Sequence, residues 1–237
     1  MTRDEYVKDL QALEDEALEL GKRVSDAIRQ GLRVLETRDL AGARALIAND
    51  ASVNEERYEI EEHCLRLLAT QQPMAGDLRR VTAFLHVASD LERMGDQAEG
   101  LGKIVLLLGT EPLIKPLIDI PKLTGVVLEM LAGAMEALRQ WDGDRARAIA
   151  RRDDEVDRLH NVIDQDLFHL MIQNPSCITQ ATYLMWASHN LERIGDLVTN
   201  VCEQIVFVAT GCIEELNVRP ASGPESSGQT KASAGAS

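Results

Sequence analysis

Apolar residues recur at helical spacing along most of this chain. Val81, Phe84, Ala88, Leu91, Gly95, Ala98, Val105 and Leu108 follow intervals of three, four or seven. On a turn of 3.6 residues they form one stripe, which predicts a long helix packed against two neighbours. Prolines at 73, 112, 116, 121, 175, 220 and 224 divide the chain, because proline interrupts helix interiors. Residues 1–72 would otherwise make a rod of ~108 Å at 1.5 Å per residue. Thr37-Arg38-Asp39, with Gly42 nearby, supplies a stop and an Asp N-cap. Two helices therefore precede Pro73, and a third follows it.

Residues 109–121 hold three prolines and form the expected connection. A fourth helix is expected over 123–141, broken by Asp142-Gly143-Asp144; a fifth runs from about 145 to 173, Asn174-Pro175-Ser176 turns the chain, and a sixth covers 178–210. Only 3% of residues are aromatic, and good helix formers dominate without β-branched runs. The reading is all-α: six long antiparallel helices in two tandem three-helix bundles related by internal duplication. The first bundle is assigned to residues 1–110, a linker to 111–121 and the second bundle to 122–215. Residues 216–237, rich in Pro, Gly, Ser and Ala, are expected to be a disordered tail.

Duplication is written in the residues. Leu91-Glu92-Arg93-Met94-Gly95-Asp96 recurs as Leu191-Glu192-Arg193-Ile194-Gly195-Asp196, displaced by 100 positions. On the middle helices Asp50, Val53 and Asn54 match Asp153, Val156 and Asp157 at a displacement of 103. Glu and Asp four apart share a helix face, and like charges there cost about 0.2–0.5 kcal/mol. Keeping that repulsion twice implies a use for the charge or a cation to neutralise it. Antiparallel packing would bring the middle-helix pairs beside the hexads, giving each half four oxygen donors: Glu92, Asp96, Asp50 and Asn54, then Glu192, Asp196, Asp153 and Asp157. Such donors suit Mg²⁺, Ca²⁺, Mn²⁺ or iron. The competing reading is structural ion pairing, with Arg93 or Arg193 meeting a carboxylate on another helix. Gly95 and Gly195, inside helices, are best explained by close approach of another backbone or a bulky ligand.

Charge and the remaining chemistry narrow the field. Lys and Arg total 25 against 39 Asp and Glu, a net charge of −14, which disfavours nucleic acid. There is no secretory leader pattern and no apolar run of membrane-spanning length, so a cytoplasmic location is expected. The four cysteines lack C-x-x-C spacing and read as buried free thiols. No histidine is duplicated: His86 corresponds to Trp186 and His189 to Ser89, while His63, His160 and His169 read as surface or satisfied core residues. The residue three after each hexad Glu is glycine, not the histidine of a ferritin-like di-iron site. No P-loop or G-x-S-x-G motif is present.

The two hexads, together with Gln72-Pro73-Met74-Ala75-Gly76-Asp77-Leu78-Arg79 before the first, resemble the PhoU family of phosphate-uptake regulators. That resemblance implies two tandem three-helix bundles and a non-enzymatic negative regulator of the phosphate regulon. Such a protein would link the ATPase subunit of a phosphate ABC transporter to a phosphate-sensing histidine kinase, peripheral to the inner membrane face through those partners. It also implies multinuclear iron as the expected metal on the ExxxD motifs, with zinc, manganese, magnesium or calcium as alternatives. Glu92, Asp96, Glu192 and Asp196 carry over most directly, then Asp50, Asn54, Asp153 and Asp157. A homodimer is the expected assembly. One departure is Gly100, which stands where Asn200 follows Asp196 in the second half, so the first site is expected to have one ligand fewer. A metal-dependent phosphohydrolase and a metal-free helical adaptor are the alternative functions.

Overall fold

A computed structural model describes residues 3–217. Helix α1 spans Arg3–Thr37, α2 Leu40–Gln71, α3 Gly76–Leu108, α4 Asp119–Gln140, α5 Gly143–Ala150, α6 Asp153–Gln173 and α7 Ile178–Thr210. A single 3₁₀ turn, Pro175–Cys177, precedes α7. The described residues contain no strand. Helices α1, α2 and α3 form the first bundle; α4, α5 with α6, and α7 form the second.

The duplication extends to the turns. Asp39 accepts hydrogen bonds from the backbone N–H of Ala41 and Gly42 at 3.0 and 2.9 Å. Asp142, 103 positions on, accepts from Arg145 N–H at 3.0 Å. Each satisfies donors that a helix start leaves orphaned. Each Asp follows a residue in the left-handed region, Arg38 at φ 58° and Trp141 at φ 50°. Contacts with distant parts of the chain hold both residues in place. The Arg38 guanidinium caps the α3 C-terminus on the carbonyls of Leu108 and Gly109 at 3.0 and 2.7 Å. The Trp141 ring meets Phe84 edge-on at 5.3 Å.

Two elements differ from the sequence expectation. Helix α4 begins at Asp119, so residues 119–121 of the expected linker are already helical. Pro121 lies in the first turn, where a missing N–H breaks no bond. The expected fifth helix is two helices in near succession. At Arg151-Arg152 the ladder tightens, with Arg152 N–H donating to Ile149 O at 2.9 Å. Asp153, Asp154 and Glu155 then occupy the first turn of α6, where negative charge complements the helix dipole.

Helices α3 and α7 are the central members of the two bundles and pack against each other, joining the apolar interiors into one core. Phe84, Leu91 and Met94 of α3, and Leu191, Ile194 and Val198 of α7, are fully buried; side chains of this size contribute about 1.5–3 kcal/mol each. Polar contacts across this seam are related by the duplication: Asn190 Nδ2 donates to Gln97 O at 3.3 Å, and Asp90, its counterpart, is hydrogen-bonded by Asn200. No described helix is long and apolar enough to cross a membrane.

Candidate functional site

Each hexad is positioned by a glycine contact. A Cβ on Gly95 would stand 3.1 Å from Val53 Cγ1, and one on Gly195 would stand 3.1 Å from Val156 Cγ1. The middle helix therefore presses onto the hexad helix at the same place in both halves. Asp50 and Asp153, three residues before those valines, are carried to the hexads. Asp50 Oδ1 lies 3.9 Å, and Asp153 Oδ1 2.9 Å, from the respective glycine's Cβ position.

In the first half, oxygens of Asp50, Asp96 and Glu99 all lie within 4.8 Å of one another. Asp50 Oδ2 accepts from Asn54 Nδ2 at 2.9 Å, while Asp50 Oδ1 is buried without a hydrogen-bond partner. Desolvation, then the charges of Glu99 and Asp96, raise the Asp50 pKa above the usual carboxylate range. Glu92 shifts upward from desolvation, then Asp96 and Asp50, with Arg57 and Arg93 opposing. Lys103 pairs with Glu99 at 2.5 Å, leaving a patch whose negative charge is only partly compensated. An orphaned, buried carboxylate oxygen among further hard oxygen donors fits a divalent cation. Asn54 orients Asp50 by donating its amide. Glu92 stands at the margin, outside the converging triad.

The second half differs. Asp153 and Glu192 are buried, at 5% and 9% exposure. The amide of Asn217 donates to Asp153 Oδ2 and to Asp196 Oδ1, both at 2.9 Å. Glu192 Oε2 lies 3.3 Å from His189 Nδ1 of its own helix, and Asp157 stands one turn after Asp153 on α6. The position of Glu99 is taken by Thr199, buried and bonded to Gly195 O at 3.4 Å. The Asn217 amide thus stands between two carboxylates of the second patch.

The two patches differ in their surroundings, and Asn200 is not what separates them. Asn200 adds no ligand to the second patch, because its side chain engages Asp90 across the bundle seam. Its counterpart Gly100 makes room for Asn190, whose Nδ2 is 2.4 Å from where a Cβ would stand. Arg93 pairs with Asp90 of its own helix at 3.2 Å, not with another helix. Two residues at these patches escaped sequence reasoning. Glu99 follows Asp96 by three, but it is unduplicated; Asn217 sits inside a segment that reads as tail. The histidines are satisfied: His63 by Glu16 at 2.9 Å, His160 by Ser188 Oγ at 2.8 Å and His169 by Gln165 O at 2.7 Å. Cys64, Cys177 and Cys202 are buried free thiols, whereas Cys212 is exposed. It sits on the turn after α7, outside any helical stripe. Leu216 and Asn217 pack on the second bundle, and the rest of the expected tail, 218–237, lies outside the described residues.

Comparison with known proteins agrees with this architecture. The PhoU domain matches the chain twice, over residues 17–105 and 120–205. A phosphate-specific transport system accessory protein PhoU homolog from Streptococcus pneumoniae is 32% identical over 215 residues, covering 91% of this chain and all of the relative. The Caulobacter vibrioides homolog is 35% identical, covering 89% of this chain and 91% of the relative. The crystal structure of the phosphate transport system regulatory protein PhoU from S. pneumoniae superimposes with a TM-score of 0.83 at 31% identity, covering 88% of this chain and 99% of that one. PhoU from Pseudomonas aeruginosa gives 0.83 at 27% identity, covering 87% and 100%. These relatives are named as accessory or regulatory proteins, not enzymes, the class expected from the sequence. With two matching domains, helices in the same arrangement and the hexads at equivalent places in both, this chain is a member of the PhoU family.

Proposed function

We propose that this protein is an accessory regulator of a phosphate-specific transport system and acts by contact rather than catalysis. The observation that carries this reading is the paired domain match, spanning almost the whole of relatives named for that role. The finer reading is a negative regulator of the phosphate regulon. In it, the helical surface docks on the cytoplasmic ATPase of the transporter and on a phosphate-sensing histidine kinase, and holds the kinase in its phosphatase-competent state when phosphate is ample. The chain works at the inner membrane face through those partners and as a homodimer. Capture of the tagged protein on purified ATPase and kinase, with and without chelator, tests this. Failure to bind either partner in any metal state would sink it.

A cation on the first patch belongs to the same reading, supported by the orphaned Asp50 Oδ1 and by the convergence of oxygens of Asp50, Asp96 and Glu99. Asp50, Asp96 and Glu99 would hold it, with Asn54 orienting Asp50 and Glu92 nearby. A hard cation, iron above all, would supply charge neutralisation and rigid cross-linking of α2 to α3. The metal-free adaptor keeps one supporting observation, the Asn217 amide that bridges Asp153 and Asp196 in the second patch. Persistence of partner binding in chelator would favour it.

A further inference from the structure

Helices α1 and α4 are the first members of the two bundles and pack against each other. They touch where a Cβ on Gly21 would collide with the Met135 sulfur. Beside that contact the helices part to leave a cleft of about 500 Å³, the size of a small-molecule site. Lys22, Ser25 and Arg29 follow one another at intervals of three and four on α1, which places them on one helix face. All three line the cleft, with Leu131 and Ala132 lining it from α4. Ser25 is 8% exposed, and its hydroxyl makes no hydrogen bond among the described residues. Packing of the repeat does not require that hydroxyl. At the displacement of 103 that relates Asp39 to Asp142, the three residues correspond to Gly125, Leu128 and Ala132, and Leu128 packs on the core. A buried hydroxyl left unsatisfied is unfavourable, so the first copy holds a polar group where the second uses leucine.

We infer that the α1–α4 cleft is a binding site for a small phosphate monoester, its phosphate held by Lys22, Ser25 and Arg29 and its organic body lying toward Asp15, Glu19 and Glu136. The ammonium and the guanidinium donate to an oxyanion, the guanidinium through a planar fork that matches phosphate. The serine hydroxyl adds a buried donor. Both cations have partners they can leave. Lys22 meets Glu19 at 3.5 Å and Arg29 meets Asp26 at 3.0 Å, with all four side chains more than half exposed, where an ion pair contributes little. One to two turns earlier on α1 the chemistry reverses. Asp15 and Glu19, with Glu136 of α4, line the same cleft and present acceptors only. They repel a bare anion and suit a body that carries hydroxyl or amino groups, while Leu18 and Met135 give that body an apolar wall. A ligand so placed touches the first helix of each bundle, and its binding is coupled to their relative position.

The site uses none of the residues of the carboxylate patches, so its test is run in chelator. The full-length protein is titrated calorimetrically with adenosine 5′-monophosphate, glucose 6-phosphate and orthophosphate. At least one ester is expected to bind, about tenfold or more tightly than orthophosphate. Ser25→Ala and Arg29→Gln each weaken that ester by about tenfold or more, the scale of a lost hydrogen bond to a charged group. Arg33→Gln, an exposed change one turn on and outside the cleft, leaves the affinity unchanged. Without ligand, Ser25→Ala melts no lower than wild type, because it removes an unsatisfied buried hydroxyl, so its loss of binding is not a loss of fold. Absence of binding by both esters, or ester affinities that Ser25→Ala and Arg29→Gln leave unchanged, would overturn the assignment. Orthophosphate binding as tightly as either ester would overturn it as well. Each of these failures leaves the accessory-regulator reading standing, since that reading is tested by partner capture.

Discussion

Val53 of α2 packs onto Gly95 of α3 with its Cγ1 3.1 Å from the point where a Cβ would stand. This contact sets how closely the two helices approach and brings Asp50 to the hexad. A larger residue must push α2 away, so Gly95→Val is expected to cost about 1–3 kcal/mol, the usual penalty for overpacking. Gly125, in the interior of α4, has nothing within 4 Å of its Cβ position. Gly125→Ala should therefore stabilise by about 0.5–1 kcal/mol. Urea denaturation of the two variants, read at constant m-value, checks the contrast; equal effects would remove the packing role of Gly95.

The first patch makes a prediction about ligands. Metal content of protein purified without an affinity tag should fall with Glu92→Ala/Asp96→Ala, and Glu99→Gln should weaken Mn²⁺ binding by about tenfold, as expected for a lost charged ligand worth roughly 1.4 kcal/mol. Full retention of affinity in Glu99→Gln would leave Asp50 and Asp96 as the only carboxylates that matter there.

Asp50 also fixes a pH dependence for the metal-free protein. Burial and the neighbouring Glu99 and Asp96 raise its folded pKa, so the folded state holds its proton to higher pH than the unfolded chain. Its stabilising contribution is complete below the unfolded value and is lost as pH rises through the folded one. The melting temperature of Asp50→Asn should exceed that of the wild type at neutral pH in chelator. The gap should close as pH falls through the raised pKa. A gap that widens on acidification would refute the sign.

Asn200 is assigned here to the seam between bundles. Asn200→Ala leaves Asp90 buried with Arg93 as its remaining hydrogen-bond partner, at a cost of about 1–3 kcal/mol. Metal stoichiometry should not move. A variant that folds as well as wild type but loses metal would restore Asn200 as a ligand.

Thiol chemistry should resolve the four cysteines. Burial pushes the Cys64 and Cys202 thiols up to about 12, and Cys177 is also buried; thiolate is the reactive form. At pH 8 an aromatic disulfide reagent is expected to titrate Cys212 alone in the native protein, and all four thiols in denaturant. Rapid native labelling of Cys64 would contradict the packing of the first bundle.

The helical stripes, the capping Asp39, the break at Asp142-Gly143-Asp144 and the doubled hexad were legible because each is a local property. A 3.6-residue period, a cap two or three residues before its donors, and a repeated string survive without knowledge of neighbours. So were the partners of the hexads: Asp50 and Asp153 stand beside Gly95 and Gly195 because Val53 and Val156, part of the same repeat, need those glycines. The kink at Arg151-Arg152 and the early start of α4 were less visible, since a Pro in a first turn and a 3₁₀ step within a helical pattern change hydrogen bonding without changing composition.

Asymmetry between the halves was decided by tertiary structure alone. Whether Asn200 faces a carboxylate patch or the other bundle depends on the rotation of α7 against α3, which spacing along one helix does not specify. Glu99 joins Asp50 through the lateral register of two helices, and Asn217 reaches Asp153 and Asp196 only after the chain reverses at Gly211. By itself the sequence determined two copies of one helical unit and the carboxylates they share. Which partners those carboxylates meet followed from contacts between residues far apart in the chain, where packing geometry rather than pattern carries the information.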